Sequence, residues 1–164
     1  MTSRTRPRFT RWVNRVPMSR QSIPREVRVR VARDANHRCA YCQTSERVIG
    51  PLLEIDHIVP ESKGGSSDES NLTLACPLCN SHKSDAIEAV DPATGQLAPL
   101  FNPRADHWSM HFEWTDRGAM IRGKTAVGRA TVQALDLNHP DVVAARSLWA
   151  SVGWHPPKVD GSVA

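Results

Sequence analysis

Val27, Val31 and Ala35 recur at four-residue steps behind Pro24, and that spacing predicts a helix over 24–37 with Pro24 at its first position. The alternation in "VRVRV" would also suit a strand. Between Pro51 and Pro60 the run "PLLEIDHIV" predicts a strand, "ESKGGSSDES" a polar loop, and "NLTLA" a short second strand. A helix is expected from about Asn80 to Val90, and "DPATGQLAPLFNPR" reads as loop from its Pro and Gly content. "WSMHFEW" and "AMIRG" flank "TDRG" and predict a hairpin, with Trp108, Met110, Phe112 and Trp114 alternating on a buried face. Helices near 125–137 and 140–152 follow, with Val132, Leu135, Val142, Val143 and Leu148 as their packing positions. This succession defines an α+β fold.

The 164 residues suffice for one domain with a modest core and extra arms. Four stretches are expected: an Arg-rich arm at 1–23, a core at 24–90, an extension packed on it at 91–155, and a tail at 156–164. The longest apolar runs are too short for a membrane helix, and the N-terminus lacks the uninterrupted apolar stretch of a secretory signal. A cytoplasmic protein without a membrane partner is therefore expected. The formal net charge is +4 and the pI about 9.2. Residues 1–33 hold ten Arg and one Glu, a net of +9, which leaves 11 basic and 16 acidic residues elsewhere, a net of −5. A basic arm on a mildly acidic body suits a polyanion such as nucleic acid. Arg4, Arg6, Arg8 and Arg11 are the candidate backbone contacts.

Cysteine usage narrows the picture further. Cys39, Cys42, Cys76 and Cys79 form two Cys-x-x-Cys pairs, and none is left over. Two disulfides would disagree with a cytoplasmic setting. Each pair can offer two thiolates to one ion, and two pairs complete a tetrahedral zinc site. With four protein ligands that zinc has no open position for a substrate, so it would staple the fold. The 33 residues between the pairs exceed a simple zinc ribbon, and an insert of different chemistry occupies them.

That insert carries "IDHIVP", "GG" and "NL", and the second pair runs on into "CNSHK". In this order and spacing, residues 39–83 resemble the HNH endonucleases, the ββα-metal group, in their zinc-knuckle form. The resemblance implies a small zinc-stapled ββα-metal core with a preceding helix and a C-terminal hairpin-plus-helices extension. It implies His57 as general base, Asp56 and Asn80 as ligands of a catalytic Mg²⁺ or Mn²⁺, and Asn71 as a brace that bonds backbone across the loop. One carboxylate, one amide oxygen, waters and a phosphate form a hard oxygen set, which favours those ions over a second zinc. The partner implied is DNA, with RNA left open because the site does not select the sugar, and the chain would act as monomer or homodimer.

Residue spacing adds detail. Asn80 and Lys83, three apart on a helix, share a face, so Lys83 is expected at the substrate phosphate. His82 lies about 200° from Asn80 on the helical wheel and stands as the alternative metal ligand. Asp56 and His57, as neighbours on a regular strand, would point to opposite faces, so irregular backbone is expected near His57. His107 and His111 are four apart, but within a strand they read as structural. The rival to an endonuclease is a zinc-stabilised module that only binds nucleic acid, which would have no use for Asp56, His57 and Asn80 together.

Overall fold

The computed structural model describes residues 22–157. The arginines at 4, 6, 8 and 11 and the tail from 158 onward lie outside the described residues. Helix α1 spans Arg25–Asp34, with Pro24 as its N-cap, one position outside the expected start. Glu26 in the first turn and Arg33 in the last both suit the helix dipole. The helix and strand readings of "VRVRV" are separated by Val29, which is 59% exposed while Val31 is 1% exposed. Only a helical repeat puts those two on different faces. Asn36 and His37, with φ of 51° and 52°, then turn the chain into the first knuckle.

A single helical turn, α2 (Glu46–Ile49), follows the first cysteine pair. Strand β1 (Glu54–His57) then pairs antiparallel with β2 (Leu72–Ala75), Asp56 opposite Thr73 and His57 opposite Leu72. β1 is much shorter than the run from 51 to 59 and stops at His57, where the chain bends, as expected of an irregular site. All four residues of β2 are buried, and α1 packs on it. Helix α3 spans Pro77–Lys83. It begins three residues before the expected start because Cys76 is its N-cap, with Sγ accepting from the Cys79 amide, and Pro77 is preset for the first position.

The helix expected through Val90 ends at Ser84, whose φ of 48° breaks it. Residues Glu88–Val90 form β3, paired with β4 (Leu97–Pro99) inside the stretch read as loop. The turn between them is closed by Asp91, which accepts from the Ala93 amide and the Thr94 hydroxyl. A two-bond clasp from Arg129, at 2.8 and 2.7 Å, holds the Asp91 carboxyl well below the usual carboxylate range. Local turn chemistry thus overrides the propensity of "SDAIEAV" for helix.

The remaining chain forms α4 (Trp108–His111), β5 (Phe112–Thr115), β6 (Met120–Gly123), α5 (Ala126–Ala134) and α6 (Pro140–Ser151). The expected hairpin is present, but its first strand starts only at Phe112. Because 108–111 is a helical turn, Met110 is 63% exposed and does not share a face with Phe112. Trp108 instead stacks on Trp114 with centroids 5.1 Å apart, and its Nε1 donates to the Tyr41 carbonyl. His111 bonds the Thr125 hydroxyl and meets Phe101 edge-on, a structural role as expected. Gly128, in "GRAT", lies so close to the His111 carbonyl that a side chain would collide, which lets α5 sit on the hairpin. Leu135 is buried, Val132, Val142 and Val143 are partly so, and Leu148 is exposed, contrary to its expected packing role. One hydrophobic cluster joins the cysteines to Phe101, Phe112, Ile121, Leu135 and Leu137, so the extension packs directly on the knuckles. Among the described residues no helix is long and apolar enough to cross a membrane.

Candidate active site

The two knuckles meet where β2 runs into α3. Cys39, Cys42, Cys76 and Cys79 are buried, and their Sγ atoms all lie within 4.8 Å of one another. The Cys42 and Cys76 sulfurs are 3.7 Å apart. Tetrahedral zinc with bonds of about 2.3 Å needs sulfurs about 3.8 Å apart, so the thiols fit the ion. Backbone amides of Cys42 and Cys79 point at the Cys39 and Cys76 sulfurs, each at 3.5 Å, which suits thiolates. Burial pushes the Cys39 thiol up, whereas hydrogen bonding from Cys39 and its neighbours holds Cys42 down.

Zinc at this place would tie the turn before β1 to the start of α3, and so fix what lies between. Asp56 comes from β1 and Asn80 from α3, and both line one open cleft of about 550 Å³ together with His57. The strand, its end and the helix therefore bring the three residues to one place although 24 positions separate Asp56 from Asn80. Asp56 is 5% exposed. Its Oδ2 accepts from the Tyr41 hydroxyl at 2.7 Å and its Oδ1 from Lys83 Nζ at 3.0 Å. Each oxygen keeps a further lone pair, so the carboxylate is held in orientation and can still accept a ligand bond. Burial, then the Asp56 charge, pushes the Tyr41 hydroxyl well up, so it stays a donor.

Asn80 Nδ2 donates to Glu54 Oε2 at 2.7 Å. A carboxylate only accepts, so this bond fixes the amide with Oδ1 turned away from Glu54. Among the described residues no protein group donates to Asn80 Oδ1. Asp56 and Asn80 thus bring hard oxygen donors to one cleft, the donor chemistry of Mg²⁺ or Mn²⁺. His82, the alternative ligand, is exposed and does not line this cleft.

Lys83 departs from expectation. It is 2% exposed, and Nζ bonds Asp56 and the His57 carbonyl at 2.7 Å. An ammonium group with both partners inside the protein is not presented to a phosphate arriving from solvent. The helix wheel assigned Lys83 correctly to the Asn80 face, but that face packs on β1. Arg28 of α1 brings the cationic side chain to the cleft, with Nε on the Ile23 carbonyl. Neither Tyr41 nor Arg28 was singled out by sequence. The signals available were an aromatic inside a knuckle and an arginine one position from the apolar stripe of a helix, and both occur widely without function.

Asn71 spans the loop. Its Oδ1 accepts from the Val59 amide at 2.9 Å, and its Nδ2 donates to the carbonyls of Val59, at 2.9 Å, and Ser66, at 2.7 Å. The side chain thus clamps the segment just beyond His57 to the far side of the loop. Gly65 completes the clamp, since a side chain there would collide with the Val59 carbonyl and crowd the Asn71 amide. His57 is partly buried, and its Nε2 lies 2.9 Å from Ser67 Oγ.

A strand pair and short helix, beside four gathered cysteines, thus border a cleft with a carboxylate, an imidazole and an amide. Residues 39–86 match the HNH endonuclease family, and the gathered cysteines agree with its zinc-knuckle form. No curated protein matches the chain.

Proposed function

We propose that the protein is a divalent-metal-dependent endonuclease that hydrolyses DNA phosphodiester bonds in the cytoplasm. The observation that carries this reading is the convergence of Asp56, His57 and Asn80 on one open cleft. A Mg²⁺ or Mn²⁺ ion held by Asp56 and Asn80 would supply charge for the phosphate and the leaving 3′-oxygen. His57 takes the proton of the attacking water as the new oxygen–phosphorus bond forms and the bond to the 3′-oxygen breaks. The products are a 5′-phosphate and a 3′-hydroxyl, as the family resemblance implies. Tyr41 and Lys83 keep the Asp56 carboxylate oriented, and Asn71 keeps the loop beyond His57 in place. Such prearranged dipoles are what phosphoryl chemistry needs from a protein.

Ser22 and Ile23, the first described residues, line this cleft, and the sequence before them carries the arginines Arg4, Arg6, Arg8 and Arg11. They supply salt-sensitive affinity for the backbone with little sequence information. One cleft per chain cuts one strand, so nicks precede double-strand breaks. The test is nicking of supercoiled plasmid by zinc-loaded protein with Mg²⁺ or Mn²⁺, against the same protein in EDTA at matched zinc content. Nicking by the wild type that His57→Ala loses by at least a hundredfold supports the proposal. Retained binding without nicking in any divalent metal replaces it with the nucleic-acid-binding module, and cleavage of RNA alone replaces the substrate.

A further inference from the structure

We propose that Ser67 and Glu61 are positioning residues that set the tautomer of His57 and make Nδ1 the nitrogen that accepts the proton. This rests on the reading of His57 as general base. Three groups form a compact triangle: His57 Nε2 lies 2.9 Å from Ser67 Oγ, and Ser67 Oγ lies 3.2 Å from Glu61 Oε1. A serine hydroxyl has one hydrogen, and an ionised carboxylate can only accept. The hydroxyl hydrogen therefore points at Glu61, and the Ser67 oxygen turns a lone pair toward the imidazole. Only a protonated Nε2 makes a hydrogen bond with that lone pair.

A neutral imidazole carries a single N–H, so Nδ1 is left bare. The reverse tautomer would require Ser67 to turn its hydrogen to Nε2, which sets its oxygen lone pairs against the Glu61 carboxylate. Glu61 Oε1 is itself 3.7 Å from Nε2, and its charge favours an N–H at that nitrogen. Among the described residues no protein group hydrogen-bonds to Nδ1, which leaves this nitrogen for a water.

The loop is built to hold these three groups together. Glu61 opens a 3-10 turn at Glu61–Lys63, directly after Pro60. Asn71 grips the carbonyl of Ser66, the neighbour of Ser67, and both backbone groups of Val59, two residues beyond His57. One side chain thus sets the distance between the imidazole and the hydroxyl that fixes it. Ser67 and Glu61 drew no attention in sequence because "ESKGGSSDES" is the composition of an ordinary polar loop.

The experiment is long-range ¹H–¹⁵N correlation NMR of the imidazoles in zinc-loaded full-length protein at mildly alkaline pH. His57→Gln identifies the His57 signals by their loss. The wild type is expected to show a pyrrole-like Nε2 and a pyridine-like Nδ1 at His57. Ser67→Ala should mix the tautomers and lower kcat on the order of tenfold with KM little changed, while Ser67→Thr restores both readouts. A predominant Nδ1–H tautomer in the wild type, or one that Ser67→Ala leaves unaltered, overturns the assignment. A protein that cuts no DNA but shows the Ser67-dependent tautomer keeps this assignment and loses the general-base reading, so the two failures are distinguishable.

Discussion

Around the knuckles the buried side chains include four thiols, Tyr41, Asp56 and Lys83, whereas in the extension they include Phe101, Phe112, Ile121, Leu135 and Leu137. The first region gathers four thiols that suit a zinc ion beside a polar network around Asp56. The second combines apolar contact, with Trp108 stacked on Trp114, with local polar clasps such as Arg129 on Asp91. A region stapled by a metal can devote interior positions to groups that would be costly in an unsupported core. That freedom is what an active site of this size requires. The extension also buries Asp91, Thr131, Arg146 and His155, with Asp91 clasped by Arg129 and Arg146 bonded to the Leu137 carbonyl, and its apolar side chains pack on the four cysteines.

The sharpest way to break this contrast is to remove the zinc. Structural zinc is worth about 10–16 kcal/mol in small zinc domains, as much as the whole stability of a typical domain. Chelation or Cys79→Ser should therefore unfold the knuckle region. Because a single hydrophobic cluster spans both regions, the near-ultraviolet circular dichroism of the Trp108–Trp114 pair should collapse in step with zinc release. A tryptophan signal that survives chelation would mean that the extension folds alone.

Truncating the apolar region should cost less and leave the metal in place. Phe112 is 1% exposed and touches Phe101 and Trp108, so Phe112→Ala should lose about 3–5 kcal/mol in urea titrations while zinc content stays stoichiometric. Within the polar network, Asn71→Ala removes three hydrogen bonds from a largely exposed loop and should cost about 1–3 kcal/mol. Its effect on cleavage should exceed that stability loss, since the loop it clamps carries the His57 partners.

The smallest expected effect is a pH dependence. Asp91 titrates below its ordinary range in the fold because Arg129 holds its ionised form. A carboxyl depressed in the folded state adds stability above its unfolded value, about 3.9, and that stability is lost as the pH falls through the acid range below it. The acid limb of a melting-temperature profile should thus be flatter in Asp91→Asn than in the wild type. Equal limbs would remove the clasp from the account of the extension.

Sequence carried the parts of the molecule in which one residue type has one use. Two Cys-x-x-Cys pairs with nothing left over pointed to zinc, and Asp56, His57, Asn71 and Asn80 stood at positions that the fold brings to one loop and one cleft. Val29 settled as a helix position what "VRVRV" left open, because periodicity alone cannot choose a face before the partner strand is known. Lys83 failed for the opposite reason. Helical geometry gave its face correctly, but whether that face met solvent or β1 depended on packing. "SDAIEAV" failed because the Asp91 turn and its clasp by Arg129, 38 positions away, decide the local structure. Ser67, Glu61 and Tyr41 act through hydrogen bonds between side chains, which leave no pattern along the chain.

The central claim is that His57 and Asn80 serve one reacting phosphodiester. It is tested most directly by single-turnover strand cleavage with wild type, His57→Ala, Asn80→Ala and the double variant, all at equal zinc content. Groups that act as a unit are not additive, so the double variant should be about as slow as the slower single one, with each single loss on the order of a hundredfold or more. Singles that cut at the wild-type rate, or losses that multiply in the double variant, would contradict it.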